Sequence, residues 1–360
     1  MLQQEKSSTV LLTSGTEKIL WKLTALWGFS EAALGGLLHG LKLPFRGMFV
    51  ASAAIIFITL IAHYSDKKGT ILKSTLIVII IKGVVSPHTP VTAYLAVFLQ
   101  GLFGELFFYS RSMFRTSSIL LGIFVMLSAV VQKILILTIL FGETLWKSID
   151  EFTIFVLNQF LISDSNDINF SVSIILISVY AVIHLSAGII IGIIAGRMPS
   201  KLNSAESANR ILIDIMNNDT EAYERSKKSG RRKKWWRKKS GMALLIFSIL
   251  FVVTSYIFPE FGEDRVWEIV IMLVRSIVII SLWYFVVSPM LLKLINKFLK
   301  KKESEYSKEI LKMIESFPYF RKAVKASWKF SSSEKGLKRL TTFVSELLAL
   351  ILHNDIALRE

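Results

Sequence analysis

The sequence predicts an all-α integral membrane protein, and three observations carry that expectation. Of its 360 residues, 52% are hydrophobic, and the mean hydropathy is +0.53. The apolar residues come in unbroken runs near the ~20 residues that a helix needs to cross a bilayer, rather than in stripes. The alternating segments of a transmembrane barrel are absent, which leaves helices to satisfy the backbone in lipid.

Taken in order, the apolar runs place spans near Trp21–Leu38, Met48–Tyr64, Thr70–Val85, Val91–Tyr109, Ser117–Phe141 and Phe170–Gly196. Two more follow near Gly241–Phe258 and Val266–Leu292. Lys6, Lys18 and Lys22 precede the first span, Lys67, Lys68 and Lys73 lie between the second and third, and Arg111 and Arg115 between the fourth and fifth. The run "GRRKKWWRKK" (Gly230–Lys239) precedes the seventh, and Lys293, Lys297 and Lys300 to Lys302 follow the eighth. The opposite loops are short or acidic, with Glu143, Asp150, Glu151, Asp164 and Asp167 in 142–169. The positive-inside rule then predicts eight spans with both termini cytoplasmic. Four parts follow: a six-span membrane domain over 1–200, a basic cytoplasmic linker over 201–240, a two-span hairpin over 241–302 and a cytoplasmic helical tail over 303–360. No cleavable signal peptide is expected, because the first residues lack an apolar stretch. No internal repeat suggests an inverted-repeat transporter.

The net charge of +16 fits cytoplasmic loops facing anionic lipid. Arg231–Lys239, with Trp235 and Trp236, reads as an anionic-lipid anchor beside the seventh span rather than a nucleic-acid site. The chain has no cysteine, which excludes disulfides, thiolate catalysis and cysteine-held metals. There is no P-loop, no H-E-x-x-H and no G-x-S-x-G, and the five histidines have no metal-ligand spacing. Neither a cofactor nor an enzymatic activity is expected.

Gly28, Ala32, Gly36 and Gly40 recur every fourth residue in the first span, as do Gly188, Gly192 and Gly196 in the sixth. Such small-residue ridges let helices approach closely in lipid, either within the chain or as a docking face for a partner subunit. Ionisable groups in spans are costly and therefore functional candidates. His39, Lys42, Arg46, Lys82, His88 and Lys133 gather on the expected outer side, where they would form a positive pocket for a small, polar, anionic solute. Snorkelling to the headgroups is the competing explanation. The Pro-bracketed turn "SPHTP" would hold His88 in place. Glu31, Gln100 and His184 lie at mid-span and Glu105 lies deeper. A His184–Glu31 pair is one candidate pocket floor, and Glu105 reads as a helix-to-helix hydrogen-bonding group. In the tail, Leu337, Leu340, Val344, Leu347, Leu348 and Ile351 form one apolar helix face.

The six spans, the first outer loop "GGLLHGLKLPFRG" and the stretch "SPHTPVTAYLAVFLQGLFGELFF" resemble the substrate-binding S component of energy-coupling factor vitamin transporters over about 20–200. The resemblance implies that first-loop His39, Lys42 and Arg46, third-loop His88 and nearby Lys82 face a vitamin-like ligand. It also implies that the ridge Gly28, Ala32, Gly36 docks a separate T component driven by ATPase subunits. The C-terminal part is loosely similar to a T component but lacks its Ala-Arg-Gly signature. The rival functional classes are a non-transporting scaffold or assembly factor, which would recruit cytoplasmic partners through linker and tail, and a membrane-embedded lipid-modifying enzyme.

Overall fold

The computed structural model describes residues 15–33, 46–86, 89–110, 113–160, 171–204, 290 and 306–353. Every regular element among them is helical. Helix α1 covers 15–33, α2 Arg46–Tyr64, α3 Thr70–Val85, α4 Val91–Phe107, α5 Phe114–Phe141, α6 Glu143–Phe160 and α7 Val172–Ser204. After these come α8 over 306–315, α9 Phe317–Phe330 and α10 Gly336–His353. The basic run Arg231–Lys239 and the expected 241–302 hairpin, apart from Met290, lie outside the described residues.

Among the described residues, three helices are long and apolar enough to cross a membrane, over Gly47–Tyr64, Phe114–Phe141 and Val172–Leu202. Their interiors are Ile, Leu, Val, Phe and Ala, and turn residues punctuate them. Gly69 takes a left-handed conformation (φ 82°) before α3, Pro90 caps α4, and Gly142 (φ 73°) separates α5 from α6.

The described part falls into two compact units. The first holds α1–α4, α5 as far as Lys133, α7 from Ile177 and α8–α10. Its core includes Trp27 on α1, Ile55, Ile58 and Ile61 on α2, Ile80 and Ile81 on α3 and Leu121 on α5. Helix directions follow from the residue pairs in contact. Thr24 meets Ser74 and Glu31 meets Lys82, so α1 and α3 run parallel. Glu105 bonds Gly69 at one end of α3 while Gly101 abuts Thr75, so α3 and α4 are antiparallel. Ser118 donates to the Gly192 carbonyl (2.7 Å) and Gly122 abuts Gly188, which makes α5 and α7 antiparallel.

The glycine ridge of α7 thus serves close packing inside the chain. A Cβ at Gly192 would lie 2.6 Å from the Ile119 Cα, closer than side-chain carbons sit. With no hydrophobic drive between helices in lipid, this backbone approach is where dispersion energy is gained. Its partner Gly122 is a single glycine on α5, outside the four-residue ridges seen in the sequence.

Two features go beyond what the apolar runs indicate. The C-terminal helices, expected as a helical tail over 303–360, share the core of the first unit. Phe320 is fully buried against Phe29 of α1 (ring centroids 5.8 Å), Phe317 lies 5.2 Å from the same ring, and the Lys22 ammonium donates to the Leu352 carbonyl at 3.1 Å. A cation at the end of α10 complements the negative helix terminus. Leu347, Leu348 and Ile351 belong to the apolar face read from the sequence, but the Lys22–Leu352 bond that ties α10 to α1 joins residues 330 positions apart.

The second concerns 142–169, expected as an acidic connection between spans. In the second unit, residues 143–160 form α6, with Glu143 in its first turn complementing the helix dipole. Trp146 Nε1 donates to Thr138 Oγ1 at 3.1 Å. Asp150 receives hydrogen bonds from the Ser173 amide (2.6 Å) and from the hydroxyls of Ser171 (2.7 Å) and Ser173 (3.1 Å), so a carboxylate of α6 caps the start of α7.

A side chain at the α5–α7 contact forces the helices apart. Gly192→Leu is expected to lower stability by about 1–3 kcal/mol, read as the thermal midpoint in detergent. Gly47→Ala, which meets open space, leaves it unchanged. Desolvation works to raise the Asp150 pKa, but the bonds from Ser173 and Ser171 outweigh it and hold the carboxyl below its ordinary range. A depressed folded pKa stabilises above the unfolded value and is lost as pH falls through the folded one. Wild type should therefore lose more of its thermal midpoint on acidification below about pH 4 than Asp150→Asn does.

Candidate functional site

Helices α1 and α3 meet along a seam set by their sequences. Thr24 donates to its own helix at the Leu20 carbonyl (2.8 Å) and lies 2.9 Å from the Ser74 hydroxyl. One turn on, Gly28 leaves room for Ile81, whose Cδ1 would stand 2.9 Å from a Cβ there. Further along, the Lys82 ammonium bonds Glu31 Oε2 at 2.7 Å. The two side chains are only 10% and 1% exposed.

Charges this deep are tolerated only when paired, and the pairing here is a short charge-assisted bond. It is incomplete, because Glu31 Oε1 is buried with no hydrogen-bond partner among the described residues. Trp27 Nε1, one turn earlier on the same face of α1, is a buried donor also without one. An unmatched acceptor and an unmatched donor thus sit a turn apart beside an ion pair. Such atoms are costly against apolar surroundings and are matched by water or by a polar ligand group.

The structure brings few of the expected site residues into contact. Lys82 is at the seam, joined to Glu31 rather than directed into a purely cationic pocket. His184 is not the partner of Glu31. Its Nδ1 is 2.9 Å from the Tyr180 carbonyl of its own helix, whereas the parallel run of α1 and α3 brings Lys82 level with Glu31. Lys133 is exposed on α5. Its neighbour Gln132 donates to the Thr92 carbonyl (2.9 Å), which puts Lys133 at the level where α4 begins. Arg46 opens α2, and its side chain lies outside the described residues, as do His39, Lys42 and His88. Of the first ridge, Gly28 packs against Ile81 within the chain, Ala32 is half-buried and Gly36 is outside the described residues. At Gly28 the close approach belongs to α3.

Glu105 joins helix to helix. Its carboxylate accepts from the Gly69 amide (2.6 Å) and the Leu72 amide (3.4 Å), capping α3 from α4. A cavity of about 250 Å³ lies beside it at the α2–α3 turn, lined by Ser65, Lys67, Lys68, Glu105 and Tyr109 among others. That cavity is at the opposite end of α3 from Lys82. Sequence reading missed the unmatched Trp27 and Glu31 atoms, although their four-residue spacing was a signal that they share a face.

Among the described residues no group of three or more His, Cys, Asp or Glu side chains is arranged to hold a metal. Comparison of the chain with protein-family models, curated proteins and solved structures yields no match.

Removing one member of the pair strands the other. Lys82→Met is expected to cost about 3–5 kcal/mol, and the Glu31→Gln/Lys82→Met double variant much less than the sum of the singles. Unfolding in detergent measures the cycle, and additive effects would contradict the pairing.

Proposed function

We propose that this chain is the membrane-embedded substrate-capture subunit of an importer of the energy-coupling factor type, taking up a small, polar, vitamin-like nutrient. In this reading the membrane domain has six spans, the chain has eight, and both termini face the cytoplasm. A separate T component or ATPase subunits supply the energy, and Arg231–Lys239 rests on anionic lipid. The observation that carries the reading is the buried Glu31–Lys82 pair with Glu31 Oε1 unmatched. An ion pair in a core stabilises little beyond an apolar pair of the same volume, so its presence is better explained by a polar solute that completes it.

The pairing refines the chemistry of the solute. Glu31 neutralises Lys82, so any attraction for an anion falls to the other expected cations, Lys42, Arg46 and Lys133. At the seam, a fitting group donates a hydrogen bond to Glu31 Oε1 and accepts one from Lys82 or Trp27, as hydroxyl, amide or protonated ring groups do. The parallel run of α1 and α3 supports a site at the end of the bundle remote from Lys67, Lys68 and Lys73.

Mass spectrometry of small molecules retained by the protein in nanodiscs tests this. A polar solute is expected with wild type, and its retention should fall about tenfold or more in Glu31→Gln, the loss of one charge-assisted bond. Lys133→Ala should lower retention by less. No solute in wild type, or retention indifferent to both changes, would favour the scaffold reading.

A further inference from the structure

Solute capture makes no use of one face of the C-terminal helices. α9 and α10 bury Phe320, Ala323, Ala326 and Leu347–Leu352, yet Trp328, Leu337 and Leu340 stay exposed at 45%, 60% and 47%. Leu337, Leu340 and Phe343 recur every third residue, so they follow one strip of α10. The strip continues onto α9, where Trp328 meets Phe343 edge to face with ring centroids 5.3 Å apart. The Arg339 guanidinium lies 4.2 Å over the Trp328 ring. Within 325–339 the chain places Lys325, Lys329, Lys335, Lys338 and Arg339 against the single acid Glu334.

Two contacts fix the parts of α8 and α10 that lie away from the strip. Tyr306, which opens α8, lies under the Lys73 ammonium of the first turn of α3 (5.3 Å), and Lys22 of α1 holds the carbonyl of Leu352 near the end of α10. The strip lies at the far end of α10 from Leu352, and its side of the membrane is read from its own charge. By the positive-inside rule a segment with five cations and one acid faces the anionic cytoplasmic leaflet.

We propose that the Trp328–Leu337–Leu340 face of α9 and α10 docks on the anionic headgroup surface of the membrane in which the chain is embedded. The three apolar side chains enter the interface, as amphipathic basic helices with tryptophan do. Lys335, Lys338 and Arg339 meet the lipid anions, each cation strengthening attachment roughly fivefold. The leaflet is the occupant that fits. It supplies a continuous negative surface against a five-to-one excess of cations, and it is already tethered beside this face, so little further association entropy is lost.

The chain has no cysteine, so Leu340→Cys in the full-length protein gives a unique site for a nitroxide label. The label is read in nanodiscs of phosphatidylcholine alone and of phosphatidylcholine with phosphatidylglycerol. With the anionic lipid, its collisions with a water-soluble nickel complex should fall severalfold and those with oxygen should rise. Lys335→Glu/Lys338→Glu in the same background should reverse both changes. Leu337→Cys repeats the measurement at a second exposed position. Equal access to the nickel complex in both lipids would overturn the proposal. So would shielding from both reagents in both lipids, which would mean that a protein surface covers the strip.

Discussion

A lysine ammonium inside an apolar bundle has to be matched, and Lys82 is matched by Glu31 at 2.7 Å. Much else in the first unit is consistent with that one bond. It brings the far halves of α1 and α3 together in parallel, while Thr24 and Ser74 hold the near halves and Gly28 admits Ile81 between them. α4 then returns antiparallel, with Glu105 capping the start of α3. The same physical rule governs both ends of α3, since a buried polar group is retained only where a partner from another helix reaches it.

The two ends of the bundle differ in chemistry. Around the α2–α3 turn, Lys67 and Lys68 line a cavity, and Lys73 lies over Tyr306 at the start of α8. At the other end the charge is a neutralised pair with an oxygen unmatched among the described residues, next to the ends of α1 and α3. The glycines are divided in the same spirit. Those of α7 bring it against α5, and Gly28 brings α1 against α3, so both ridges contribute to the bundle's own cohesion.

What the sequence made legible follows from local physics. The apolar runs marked α2 through α5 closely, because span length and turn residues such as Gly69 and Pro90 are written within each segment. Expected starts at Met48, Thr70 and Val91 fall within two residues of the helices. Glu31 and Lys82 stood out as buried charges, but their pairing was not legible, since His184 was an equally plausible mid-span partner until helix directions were known. α6 was passed over because Glu143, Lys147 and Asp150 break the apolar run, although an amphipathic helix needs only one apolar face. The packing of α10 on α1 depends on residues at opposite ends of the chain, and neither segment encodes its partner.

Cross-linking in membranes tests the central claim, that α1 and α3 lie side by side and parallel so that Glu31 meets Lys82. In this cysteine-free chain, Thr24→Cys with Ser74→Cys should oxidise efficiently to an intramolecular disulfide, because the two hydroxyls are 2.9 Å apart. Thr24→Cys with Val84→Cys, at the far end of α3, should not. A cross-link that forms with Val84→Cys and fails with Ser74→Cys would reverse the helix direction, separate Glu31 from Lys82 and contradict the account.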